Sequence, residues 1–111
     1  MIIQITTDNN VSGNESFTEP IRDLLNKNLE RFSDRVSSFQ VHLGDENAGK
    51  VGDRDKRCMI EARIDGLPPL AVTAHADNHQ QAVRAGIDKI KKSLDSQFEK
   101  LRDSRREAKA E

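Results

Sequence analysis

The sequence predicts an α+β fold in the order β-α-β-β-β-α, with a four-stranded mixed sheet carrying both helices on one face. Two kinds of hydrophobic period point to it. Residues 16–32 and 77–106 repeat apolar side chains every three or four positions, as an amphipathic helix does, whereas 36–43, 57–64 and 70–76 alternate apolar with polar residues, as a strand with one buried face does. The third observation is size: 111 residues with 34% apolar content suffice for one small core and not for two. The expected organisation is a single domain over residues 1–104 and a charged tail, 105–111, that has nothing to bury and frays.

Each element has its own signal. Ile2, Ile3, Gln4 and Ile5 form a short β-rich start, and the polar run from Thr6 to Asn14 breaks it. Ser16 followed by Glu19 reads as a capping box, with Pro20 in the first turn, where its missing N–H is harmless. Ile21, Leu24, Leu25, Leu29 and Phe32 then hold helical spacing, with Glu19, Asp23, Glu30 and Asp34 turned away, Lys27 and Arg31 on one flank and Arg22 on the other. From Val36, the residues Phe39, Val41 and Leu43 alternate with Gln40 and His42 in a second strand. Gly44 to Asp55 is a polar, glycine-rich hairpin loop.

Cys58, Ile60, Ala62 and Ile64 are the inward set of a third strand, and Asp65-Gly66 turns it. Pro68 and Pro69 cannot donate to a ladder, so the fourth strand starts after them, with Leu70, Val72, Ala74 and Ala76 inward. Asp77 is the expected cap of the last helix. Strands two to four suit an antiparallel meander, and strand one needs a crossover through the first helix to lie parallel beside strand two.

On the last helix, Val83, Ile87, Ile90, Leu94, Phe98 and Leu101 fall within about 80° of each other at about 100° per residue. Asp88, Asp95, Glu99 and Asp103 take the opposite side. Arg84, Lys91 and Arg102 line one edge of the stripe, and Lys89 and Lys100 the other. Residues 84–106 hold eight Lys/Arg against four Asp/Glu, while residues 1–83 hold nine against thirteen. A net charge of −1 excludes indiscriminate coating of nucleic acid, so a polyanion partner must be met by a local patch. A solvated helix face with i,i+4 pairs such as Asp88–Lys92 and Lys91–Asp95 would produce the same composition.

The opening residues lack the basic lead and apolar run of a signal peptide, and no stretch approaches a membrane span, so a cytoplasmic protein is expected. The single cysteine, Cys58, suits a reducing compartment and, on the inward face of its strand, reads as a small hydrophobe. His42 and His75 point to the open sheet face and His79 reads as a surface residue, so no metal is expected. Asp45, Asn47 and Gly49 resemble part of a calcium loop, but its closing Glu is missing. No nucleophile, phosphate-loop or paired-carboxylate motif is present. The expectation is therefore no enzyme, no cofactor and no small-molecule substrate. Lys50, Arg54, Lys56 and Arg57 make a second basic cluster at the hairpin.

Three segments in order resemble one family: I-Q-I-T (Ile3 to Thr6), L-E-R-F-S-D-R-V (Leu29 to Val36) and A-V-R-A-G-I-D-K-I (Ala82 to Ile90), the last similar to A-A-I-D-x-L-I-D-K-L. The chain resembles the ribosome hibernation-promoting factor / ribosome-associated inhibitor family, also called the sigma-54 modulation family, in its short form. The resemblance implies a non-enzymatic stress-response protein that regulates translation. It would occupy the small-subunit channel used by mRNA and tRNA, with helix-borne cations on rRNA phosphates and little base reading. The resemblance carries over Arg22, Lys27 and Arg31 on the first helix and Arg84, Lys89, Lys91 and Lys92 on the second, and Lys100 and Arg102 join them on charge geometry.

The sequence departs from the family in a first helix shorter by about one turn, in Gln80 where an aromatic residue is usual, and in the loop 44–55. It lacks the extra C-terminal dimerisation domain of long members, so a monomer that does not pair ribosomes by itself is expected. Two other functions fit the residues. One is a structured-RNA binder unrelated to the ribosome, since α-β-β-β-α resembles the double-stranded RNA-binding domain. The other is a protein-interaction regulator using Arg57, Met59, Arg63, Thr73 and His75 on the open sheet face.

Overall fold

The computed structural model describes residues 1–8, 11, 14–46 and 55–110, with side chains as far as Asp103. The elements are β1 (Ile2–Thr7), α1 (Glu15–Leu29), a 3-10 turn (Glu30–Phe32), β2 (Val36–Asp45), β3 (Lys56–Ile64), β4 (Leu70–Ala76) and α2 (His79–Ala110). The strands stand in the order β1-β2-β3-β4, with β1 parallel to β2 and the other pairs antiparallel. This is the mixed sheet that the sequence predicts. Ile3 lies opposite Phe39, and Phe39 opposite Ala62; Val41, Ile60 and Val72 make the next inward row. These side chains share one face with Ile21, Leu25 and Leu29 of α1 and Val83, Ile87, Ile90 and Leu94 of α2, in one buried cluster against which the half-buried Val72 packs.

The ends of the elements correct several expectations. β1 continues to Thr7, which pairs with Leu43, because threonine suits a strand as well as isoleucine does. The cap of α1 is Asn14 and not a Ser16/Glu19 box: Asn14 Oδ1 accepts from the Phe17 N–H at 3.0 Å, and the Ser16 hydroxyl donates to that same oxygen at 2.7 Å. The earlier start makes Pro20 the sixth helical residue instead of a first-turn one, on the exposed side, where loss of one N–H is least damaging. Similarly, Asn78 caps α2 in place of Asp77, its Oδ1 taking the Gln81 N–H at 2.8 Å. Asp77 stands one residue too early for a helix that begins at His79.

α2 is 32 residues long, about 48 Å at 1.5 Å per residue, and outruns the nine-residue β3 beneath it. Its backbone is helical through Ala110. Near its start it rests closely on the sheet: a Cβ on Gly86 would stand 3.1 Å from Ile60 Cδ1 and 3.4 Å from Cys58 Sγ. A small residue at that turn lets Ala82 and Val83 become fully buried.

Candidate nucleic-acid interface

Three contacts fix how the helices lie. Phe17 meets His79 edge to face with centroids 5.3 Å apart, Arg31 meets Asp95, and Phe32 meets Phe98 at 6.4 Å. Residue numbers rise together along both helices, so α1 and α2 run side by side in the same direction on one face of the sheet. A groove follows their seam. Leu24, Asn28, Arg84, Ile87 and Asp88 line its middle, around about 180 Å³. Farther on, Arg35, Asp95, Phe98, Glu99, Leu101 and Arg102 line about 410 Å³ under the overhanging part of α2.

Between these two widenings the seam is bridged. Arg31 Nη1 and Nη2 donate to Asp95 Oδ1 and Oδ2 at 3.0 and 2.8 Å, a two-pronged pair with roughly half of each side chain exposed. These hydrogen bonds hold Asp95 below the ordinary carboxylate range, and the charges of Arg31 and Lys91 act in the same sense. They raise Arg31 further above its already high value. The Arg31 guanidinium also lies 4.1 Å over the Phe32 ring, and Arg35 lies 4.7 Å over Phe98.

The nine sequence-predicted cations divide by flank. Arg84 and Arg102 line the groove, Arg31 bridges it, and Lys91 stands on the same flank of α2, near enough to act on Asp95. Lys27 and Lys92 are exposed on the helix crests. Arg22 and Lys89 turn the other way, down over the sheet edges: Arg22 Nη1 donates to Ile3 O of β1 at 2.6 Å and Lys89 Nζ to Thr73 O of β4 at 2.8 Å. Lys100 shares the outer flank of Lys89 and is exposed. Arg35 belongs with the groove set although sequence reasoning passed over it. Its position just before β2 carries no helical periodicity, and only the fold brings it under Phe98.

The other candidates are accounted for locally. Lys56 Nζ bridges Asp45 and Asp55 at 2.8 and 3.3 Å, and the Asp45 hydrogen bond chiefly raises its pKa. Arg57 stands 3.9 Å from Glu46, and His75 Nε2 is 3.0 Å from the same carboxylate. Lys50, Arg54, Asn47 and Gly49 lie outside the described residues. On the open sheet face Arg63 pairs with Glu61 at 3.3 Å, and His42 Nδ1 shares a hydrogen bond with Thr6 Oγ1 at 2.8 Å. His79 is not the surface residue expected: its ring is partly buried against Phe17, and Nε2 has no hydrogen-bond partner among the described residues. Cys58 is fully buried, and burial pushes its thiol up to about 12. Among the described residues no group of His, Cys, Asp or Glu could hold a metal ion, and no helix is long and apolar enough to cross a membrane.

Residues 3–103, nearly the whole chain, match the family described as sigma 54 modulation protein / S30EA ribosomal protein. The chain belongs to this family. Two solved structures share the fold of this S30EA family member. A ribosomal subunit interface protein from Coxiella burnetii superposes with a TM-score of 0.67 at 19% identity, over 88% of this chain and 98% of that one. The N-terminal domain of Thermus thermophilus Protein Y gives 0.60 at 18% identity, over 85% and 96%. No curated protein matches the sequence.

Proposed function

We propose that this chain binds the small ribosomal subunit by laying its two-helix layer on folded rRNA. In the decoding channel it blocks access of mRNA and tRNA without catalysing a reaction. The observation that carries the reading is the shared seam of the parallel helices, which collects Arg31, Arg35, Arg84, Lys91 and Arg102, with Lys27 and Lys92 on the adjoining crests. Family membership supports it, as does the likeness of fold to the ribosomal subunit interface protein from Coxiella burnetii. A chain of net charge −1 gains little from its overall field, so contact depends on this local set. The resulting protein is cytoplasmic, needs no cofactor and acts as a monomer.

Pelleting with purified small subunits across a salt series tests this. Binding is expected at low salt, with log affinity falling by about 0.7 to 0.9 per phosphate contact as log salt rises. Arg84→Glu with Lys91→Glu should abolish pelleting while leaving the fold intact, because both side chains lie on the outer layer. Failure of the wild type to pellet at low salt rejects the reading. Equal affinity for arbitrary RNA duplexes would instead make it a general double-stranded RNA binder.

A further inference from the structure

The sheet's two outer strands are unusual in what they lack. β1 reads IIQITT and β4 reads LAVTAHA, so neither carries a Lys, Arg, Asp or Glu, whereas the inner strands hold Asp45, Lys56, Arg57, Glu61 and Arg63. Natural sheets usually place charge, especially lysine, or proline on the edges, because unpaired backbone groups there invite another strand. A six-residue segment of high β-propensity with no charge and no proline, such as β1, is the kind most prone to pair with its own copy. Ile2 on that strand is 61% exposed. The expected protection is missing from the edge strands themselves.

It comes instead from the helices above. Along a parallel strand, alternate residues turn both backbone groups to the same side. The Asp8 N–H bonds Leu43 O, so the odd-numbered Ile3, Ile5 and Thr7 turn theirs away from β2, to the open edge. Arg22 donates to one of these outward carbonyls, Ile3 O, at 2.6 Å. On the opposite edge Lys89 donates to Thr73 O, midway along β4, at 2.8 Å. The two cations come from different helices, each on the flank away from the seam, and each both occupies an acceptor and sets a positive charge beside a strand that has none.

We infer that Arg22 and Lys89 are edge guards: they hold the outward carbonyls of β1 and β4 and so prevent a second copy of this chain from adding its edge strand to the sheet. The occupant excluded is a second copy because the two edges are uncharged, β-prone and of similar length, six and seven residues, and so match each other. This assignment is independent of RNA binding and gives these two residues a role other than phosphate contact.

Sedimentation velocity of Arg22→Met, Lys89→Met and the double variant over a range of concentrations tests it. The wild type should keep one mass throughout, while the double variant should rise with concentration to at least twice that mass, with new amide-exchange protection in β1 and β4. Lys100→Met makes the same change of charge on the same flank but removes no strand contact, so it should behave as the wild type. Adding Ile2→Lys to the double variant puts charge on the edge strand itself and should return the mass to the wild-type value. Such a rescue would not follow if the variant had merely lost its fold, which far-UV circular dichroism reads separately. A double variant that keeps the wild-type mass at every concentration overturns the inference, as does Lys100→Met assembling equally well.

Discussion

Replacing Asp95 with Asn should make this protein less stable and a better RNA binder at once. Arg31 holds Asp95 through two short hydrogen bonds, but each side chain is about half exposed, so solvent screens the pair and it contributes about 0.5–1 kcal/mol. Loss of that contribution lowers the melting temperature by about 2–8 °C for a domain near 100 residues. The same energy is what a phosphate must overcome to take Arg31 from its partner. On the proposed function, freeing Arg31 should tighten binding to small subunits by about 2- to 5-fold, at 1.4 kcal/mol per factor of ten. The salt dependence should steepen by about one phosphate contact.

Differential scanning calorimetry and the pelleting assay at several salt concentrations read the two effects separately. Asp88→Asn provides the control, since Asp88 also lines the groove but makes no ion pair among the described residues. It should share any general gain from removing a negative charge and show no loss of melting temperature. If Asp95→Asn weakens binding, or leaves the salt slope unchanged, Arg31 is not a phosphate contact held in check by Asp95. The groove would then need a different role.

Three further outcomes follow from the structure. Because Asp95 is held below the ordinary carboxylate range, its share of stability is complete above the unfolded value of about 4 and disappears as pH falls through the lower folded value. The calorimetric gap between wild type and Asp95→Asn should thus be full at pH 7 and close under strongly acidic conditions; a gap unchanged by acid would contradict the pairing. Cys58, fully buried with its thiol pushed up to about 12, should resist thiol reagents at pH 8 in the native protein and react once denatured. Cys58→Ser should destabilise by about 1–3 kcal/mol through an unsatisfied buried hydroxyl, measured by urea unfolding.

Hydrophobic period made most of the fold legible before any coordinates. The inward rows of the sheet and the stripe from Val83 to Leu101 follow from it, because burial of one face is the strongest constraint on a small domain, while Pro68 and Pro69 set the start of the fourth strand. Caps were harder. Ser16 and Asp77 have the right chemistry, but Asn14 and Asn78 do too, and which one wins depends on where the preceding strand releases the chain. Gly86 gave no signal because its function, a close approach of α2 to Ile60, belongs to a pair of elements and not to either alone. Arg35 escaped for the same reason.

The cations show most clearly where one-dimensional reasoning stops. A helical wheel places Arg84, Lys91 and Arg102 on one flank and Lys89 on the other, and the structure keeps that division. It cannot say what each flank faces. With both helices on one sheet face and running in parallel, inner flanks must meet across a seam and outer flanks must overhang the sheet edges. Charge of one sign therefore serves two purposes. At the seam it stands among Asp88, Asp95 and Glu99, so a polyanion has to compete with the protein's own carboxylates. At the edges Arg22 and Lys89 donate to backbone carbonyls. On the proposed reading, substitutions at the seam change the salt slope of binding and those at the edges do not. A shallower slope for Lys89→Met would return that residue to the RNA-contacting set.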